Sequence, residues 1–422
     1  MTKEDIIRAA FKVWGRDLYR TTSLTEIALE LGVSKPALYR HFRDKNALLE
    51  AMYGSFFDDC ASFIKEGYNK AINTPDKRSS YLIWFRSIAE YYAQNREAFA
   101  FSLTRVFSFM DRMSLNKEFR SRGIDFGHPA LRDERPESYP SKMQLGMSTC
   151  IFGIAQLHHH HLKKGETPGA EGIKTALLEL EKQVTKGLSL DVSIVDAMNY
   201  RELEKRAAGT DNGETETNVL LRAVAEAVAE AGPWDASMEM VAKHSGLSKS
   251  GLYAHFKNKQ DMLAKLFIAE FTRIVNFTKA QIESSHVSEE QLYLAIISIV
   301  NYLRSRPEIL LALDWIKTRQ LDLGKDVPGY LYRIIGTIKI EAISNLDRHM
   351  LVQVAQWVLF MIVNTLALWP RDESPETEAS SVKSHVEQVR DISWARNAAE
   401  IPNESFRILF RFFALGLEGL NL

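Results

Sequence analysis

Apolar positions fall at three- and four-residue intervals along most of the chain, the spacing that gives a helix one apolar stripe. Ile6, Ala9, Ala10 and Val13 form such a stripe and predict a first helix from about Lys3 to Arg16. A shorter stripe of Ile27, Ala28 and Leu31 follows, closed by Gly32, where a left-handed backbone is cheap only for glycine. Ser34 is placed to cap the next helix, and Pro36 sits in its first turn, where no amide bond is lost. Leu38 and Phe42, four apart, face inward. Asp44-Lys45-Asn46 then predicts the start of a long helix through Leu48, Leu49, Met52, Phe56 and Phe57.

The chain repeats this pattern. Leu24–Phe42 and Met238–Phe256 superimpose without a gap under a shift of 214 positions, with Gly, Ser, Lys, Leu, Tyr, His and Phe in register. Lys45 and Lys259 extend the match, and Asn258-Lys259 begins a second long helix through Met262, Leu263, Leu266 and Phe267. Each copy reads as two short helices joined by a tight turn, the second of a size that a major groove admits.

Between and after the copies the helical pattern continues. Ser80–Tyr92 and Phe99–Phe109 are dense in aromatics, and Gly123–Pro140 reads as a loop long enough to be mobile. Met143–His159 is apolar, and Ile173–Leu188 is amphipathic. The second half repeats the plan in Glu290–Leu303, Glu308–Leu321, Val327–Leu346 and Met350–Trp369, then closes on Glu404–Leu422. Arg371–Ser384 is acidic and Ser-rich, the composition of a disordered segment. Gly187-Leu188-Ser189-Leu190 is echoed by Gly419-Leu420-Asn421-Leu422, each closing a terminal helix. Asp191–Ala208 reads as one polar helix and Gly209–Gly213 as a flexible joint. The expected fold class is therefore all-α, in tandem units. Its domains are 1–50 (first helix-turn-helix head), 51–190 (first helical regulatory domain), 191–214 (linker), 215–264 (second head) and 265–422 (second regulatory domain).

Charge sharpens this picture. The whole chain of 422 residues has a net charge of -1, which by itself does not suggest a nucleic-acid partner. Locally the balance differs: between Leu31 and Lys45 stand Lys35, Arg40, Arg43 and Lys45 against Asp44 alone. From Lys243 to Lys259 there are four lysines and no acidic residue. Basic charge is focused on the two motifs, as a groove reader requires. Cys60 and Cys150 are too few and too far apart for a disulfide framework or zinc knuckle, so a reduced cytoplasm is expected. Met350–Trp369 approaches membrane-span length, but Gln353, Gln356 and Asn364 interrupt it and favour a buried interface helix. No membrane partner is expected.

Ser-Lys-Pro-Ala-Leu-Tyr-Arg-His-Phe-Arg-Asp-Lys (34–45) resembles the recognition helix of the TetR family of bacterial transcriptional regulators. Ser-Lys-Ser-Gly-Leu-Tyr-Ala-His-Phe-Lys-Asn-Lys (248–259) resembles it again. The family usually has one such segment per chain and pairs as homodimers; this chain departs by carrying two, which would build the two-fold partner into one chain. The resemblance implies that Thr25, Tyr39, His41 and Lys45 hold phosphates and that Lys35, Pro36 and Ala37 approach base edges; Ser34 and Arg40 are further DNA-binding candidates, Arg40 long enough to reach a guanine edge or a phosphate. In the second copy it implies phosphate contacts from Tyr253, His255 and Lys259, with Lys249, Ser250 and Gly251 reading; Ser248 and Lys257 are further DNA-binding candidates. Ala254 replaces Arg40, and Gly251 weakens the second helix. An alternative role for Tyr39 and His41 is packing within the motif.

Other features point less far. His158-His159-His160-His161 reads as a solvated helix end rather than a metal site, since only His158 and His161 share a face and no Cys or Asp completes a tetrahedral set. Trp84, Phe85, Tyr91, Tyr92, Trp315, Trp357 and Trp369 fit plain core as well as a ligand pocket, so the ligand-binding residues stay unknown. No phosphate loop, nucleophile elbow or paired carboxylate motif marks an enzyme, and no cofactor is expected. The expectation is a DNA-binding transcriptional regulator of the repressing kind, with double-stranded DNA and a small-molecule effector as partners. It acts as a monomeric pseudo-dimer, or as a homodimer with only the N-terminal head working. A rival reading is a sensing or interaction module without DNA binding.

Overall fold

The computed structural model describes residues 2–15, 23–107, 112–132, 140–208, 219–311, 313, 332–338, 340, 346–367 and 394–420. Every regular element among them is helical. The first unit comprises α1 (Lys3–Gly15), α2 (Leu24–Glu30), α3 (Lys35–Tyr39), α4 (Lys45–Ile72), α5 (Lys77–Gln94), α6 (Arg96–Phe101), α7 (Arg112–Arg120), α8 (Lys142–Lys164) and α9 (Ala170–Lys186). Two short helices, α10 (Val192–Ala197) and α11 (Tyr200–Ala207), lead onward. The second unit comprises α12 (Val219–Asp235), α13 (Met238–Ser245), α14 (Lys249–Tyr253), α15 (Lys259–Ile282), α16 (Ser288–Ser305), α17 (Arg348–Ala367) and α18 (Asn403–Leu415). The joint at 209–213, the segment 371–384 and most of 314–346 lie outside the described residues.

The long helices start where a side chain replaces the missing helical acceptor. Asp44 accepts from the Ala47 amide to begin α4, and Asn258 accepts from the Asp261 amide to begin α15. In the first unit α4 and α5 pack through buried aromatics, among them Tyr53, Phe56, Phe57, Trp84, Phe85 and Tyr91. The second unit is built differently at the same depth. Glu270, which the 214-residue shift pairs with Phe56, is a buried carboxylate that accepts from the Tyr302 hydroxyl. Arg306 and Arg273 lie 3.4 and 3.5 Å from it. A buried charge is tolerated only with such partners.

The two units meet along a seam of helices from both. Within it α8 and α17 cross antiparallel: Phe152 meets Phe360 at 5.7 Å between ring centres, and Asn364 donates to Ser148 at 2.6 Å. Trp357 donates to Thr149 at 3.4 Å and meets Phe413 edge-on at 4.6 Å. An apolar interface tolerates sliding. A buried Asn–Ser bond does not, because slipping would leave both groups unsatisfied, so this pair fixes the register.

Reciprocal hooks close the seam. After α9 the chain turns at Gly187 (φ 55°), and the Leu188 and Leu190 amides donate to the Phe413 and Ala414 carbonyls at 2.7 and 3.0 Å. After α18 it turns at Gly416 (φ 63°), packed against the Thr185 and Lys186 backbone. Each unit's last helix thus ends on the other's, the arrangement of an isologous contact made inside one chain. The expected echo between Gly187 and Gly419 is corrected: Gly416 is the structural counterpart, three residues earlier. Gly419 lies in the next 3-10 turn instead.

Two other expectations change. Asp191–Ala208 is two helices rather than one, broken between Ala197 and Tyr200, with Val195, Met198, Leu203 and Ala207 buried. They are docked on the second unit: Arg407 forks onto Glu204 at 2.6 and 2.8 Å, Tyr293 donates to Glu204, and Arg411 reaches Asp196. The described start of the Gly123–Pro140 segment is pinned rather than mobile. Ile124 is fully buried, and Tyr68 accepts from the Asp125 amide. The apolar helix Arg348–Ala367, long enough to cross a membrane, packs against α8 as the interface helix expected.

The hooks generate a stability prediction. A β-carbon at Gly187 would lie 2.4 Å from the Phe413 carbonyl oxygen and 2.7 Å from the Gly416 nitrogen, at a backbone angle that suits glycine. Gly187→Ala should lower unfolding free energy by about 1–3 kcal/mol. Urea unfolding measures it, and a variant as stable as the parent would show that the hook does not constrain the backbone.

Candidate nucleic-acid interface

Each head is a three-helix unit with a small core. In the first, Ile6, Ala10, Ile27, Ala28, Leu38 and Phe42 are buried together; in the second, Val224, Val241, Ala242, Leu252 and Phe256 take these roles. Gly32 and Gly246, at φ 65° and 68°, end α2 and α13 and turn the chain into the next helix, as expected. The two reading helices start differently. Ser248 accepts from the Gly251 amide at 3.1 Å, whereas Ser34 makes no side-chain cap bond. The α3 helix relies on Pro36 in its first turn instead.

The structure brings the expected reading residues onto one exposed surface in each head. Thr25, Ser34, Lys35, Pro36, Tyr39, Arg40 and Lys45 are exposed, with Ala37 and His41 half-buried. In the second head Ser248, Lys249, Ser250, Tyr253, His255 and Lys257 are exposed, with Gly251 and Lys259 half-buried. Of the two residues with a packing alternative, Tyr39 is 45% exposed and His41 half-buried, and Tyr253 in the second head is 48% exposed. The Lys45 pKa is held below the ordinary lysine value by partial burial first and by the Arg105 charge second, opposed by the Glu26 carboxylate.

The first head is coupled to the helices behind it by α1 and the turn after α6. The Trp14 indole donates to Thr104 at 2.9 Å, the Arg105 guanidinium stands 5.2 Å over the Trp14 ring, and Phe11 and Trp14 meet Phe101 edge-on. Ser102–Val106 is a wide helical turn that sets Thr104 and Arg105 toward α1.

Sequence reading missed the polar pairs that brace both heads. Lys12 and Glu30 clamp α1 to α2 at 2.7 Å. The 214-residue shift carries these positions to Glu226 and His244, which pair at 3.2 Å with the carboxylate now on the first helix, and Glu230 adds a second contact to His244 at 2.8 Å. Glu239 likewise forms an ion pair with Lys249 on the reading helix, where the first head has Thr25. The signal was available: aligning the heads by the shift exposes each exchange. Glu239 stands four residues before Lys243, just outside the window in which the lysines are unopposed.

Comparison with known proteins agrees with this geometry. The sequence profile of the bacterial regulatory proteins of the tetR family matches twice, over residues 6–52 and 220–266, the two spans offset by the same 214 positions. The fatty acid metabolism regulator protein of Bacillus subtilis (strain 168) is 24% identical over 159 residues, 36% of this chain and 81% of that protein. Most of that relative is thus matched by well under half of this chain. A solved structure of the fatty acid degradation regulator FadR from Bacillus halodurans is 17% identical, covering 43% of this chain and 92% of that one, with a TM-score of 0.29.

Outside the heads, the histidine run matches the solvated helix end expected at His160, which is exposed, and partly at His159 and His161, which are half-buried, but not at His158. His158 is 1% exposed, and its Nε2 lies 2.8 Å from the Tyr92 carbonyl. That bond places the proton on Nε2 and leaves Nδ1 buried without a partner. Burial, opposed by the Tyr92 bond, pushes its pKa down to about 4. Above an unfolded pKa near 6.5 both states are neutral, and below it the unfolded chain binds the proton first. Stability should therefore fall by about 2 kcal/mol between pH 7 and pH 5 on account of this residue. His158→Gln should flatten that part of the stability–pH curve, and parallel curves for parent and variant would refute the buried neutral imidazole.

Proposed function

We propose that this chain, which carries two TetR-family DNA-binding domains in tandem, is a transcriptional repressor that spans two half-sites of one operator without a second copy. The observation that supports this most is the seam between the units. The contact that joins two subunits in a homodimer has its counterpart inside this chain, through α8 and α9 on one side and α17 and α18 on the other. A second copy then has no such surface left to pair with.

The mechanism is a population shift. An effector that fits one spacing of the heads better than another lowers DNA affinity only by its differential affinity for the two states. The path in the first unit runs from the aromatic core of α4 and α5 through Phe101 and Thr104 to Trp14 in α1. The Bacillus subtilis relative carries fatty acid metabolism in its name, which supports an effector of fatty-acyl chemistry. The first unit suits a hydrocarbon chain better than the second, where Glu270 and its arginines occupy the level of Phe56.

The heads differ where bases would be read: Pro36, Ala37 and Arg40 against Ser250, Gly251 and Ala254. Arg40 reaches a guanine edge or a phosphate, and Ala254 reaches neither. The preferred operator should be asymmetric, with half-sites about one helical turn apart, roughly 34–36 Å. Selection from random DNA checks this, and exchanging residues 35–40 with 249–254 should reverse the orientation of the selected site. A palindrome selected by both proteins would overturn the two-head reading and leave a homodimer with one working head.

A further inference from the structure

We propose that Glu239 makes the second head the more discriminating of the two, by engaging Lys249 and setting a carboxylate where the first head offers the Thr25 hydroxyl to DNA. This deepens the two-head reading and rests on it. The heads begin their turn-forming helices alike, with Ser23 and Ser237 as caps accepting from the third helical amide. They differ in where the first-turn carboxylate stands. In the first head it is Glu26, which folds back onto the Ser23 amide at 2.8 Å and completes a capping box. In the second head Met240 takes that position, and the carboxylate stands one residue earlier.

One residue is about 100° around a helix, so Glu239 leaves the cap and faces the reading helix. There it forms an ion pair with the Lys249 ammonium, both side chains more than half exposed. Lys35, the counterpart of Lys249, has no such partner among the described residues. The contact holds Glu239 below the usual carboxylate range and Lys249 above the usual lysine range, each mainly through the hydrogen bond between them.

Non-specific binding to DNA is carried by lysines and arginines that replace counterions at phosphates. A lysine already paired with a fixed carboxylate replaces none until that pair opens, and the carboxylate then repels the phosphates that Thr25 would accept. The second head therefore adds less to sequence-independent adhesion than its lysines alone would. It settles only where base contacts compensate for opening or accommodating the pair. The first head anchors the chain, and the second tests the sequence beside it.

Three variants of the full chain test this by salt titration on a selected operator and on one whose second half-site is scrambled. Glu239→Gln keeps the shape and removes the charge, and Glu239→Thr copies the first head. Both should bind the scrambled site several-fold more tightly and narrow the gap between the sites. Freeing Lys249 should steepen the salt slope by about one unit, roughly a threefold further loss between about 50 and 200 mM salt. Lys259→Ala is the control for the second head being on DNA, and it should flatten the slope by about one unit. A flattened slope in the control with no change in the Glu239 variants overturns the role of Glu239 alone. No change in the control overturns the two-head reading and this inference with it.

Discussion

The seam between the units is the constraint on which the rest of the structure depends. Helical units of this kind leave an apolar face that must be covered, and here one half of the chain covers the other. Asn364 on Ser148 fixes the register of α8 against α17, and the turns at Gly187 and Gly416 lock each terminal helix against its counterpart. The short helices α10 and α11 then tie the connection to the second unit through Glu204, Arg407 and Tyr293. The described part of the connection between the units is therefore anchored along its length.

A duplicated chain is free to diverge in ways a homodimer is not, because one substitution alters one head only. The heads keep the same apolar skeleton and exchange their charges around it. The clamp of Lys12 on Glu30 becomes Glu226 on His244, and Thr25 gives way to Glu239. The regulatory domains diverge further, from an aromatic core around Phe56 to a buried ion network around Glu270. The same backbone plan thus supports two electrostatic characters, one suited to adhesion and apolar contact, the other to discrimination.

The heads were legible in the sequence because their determinants are local. Gly32 and Gly246 need a left-handed backbone, Leu38 and Phe42 sit four apart, and Asp44 and Asn258 cap the long helices α4 and α15. The seam was not legible in detail. Its pairing joins residues some two hundred positions apart, such as Ser148 with Asn364, and periodicity along one helix carries no record of its partner. The echo at the terminal helices was misplaced by three residues for the same reason: glycine repeats nearby, and only the packing against Thr185 distinguishes Gly416 from Gly419. His158 was misread because a run of polar residues suggests solvent, whereas its burial depends on α5 and the Tyr92 carbonyl across from it.

The central claim is that the pairing surface is used up within one chain. Sedimentation of the purified protein, free and then bound to a selected operator, tests it most directly. A single-chain mass in free solution at micromolar concentration, and one chain per operator, is the expected result. A mass of two chains in either state would contradict the account, since it would mean that α8, α9, α17 and α18 leave a pairing face open.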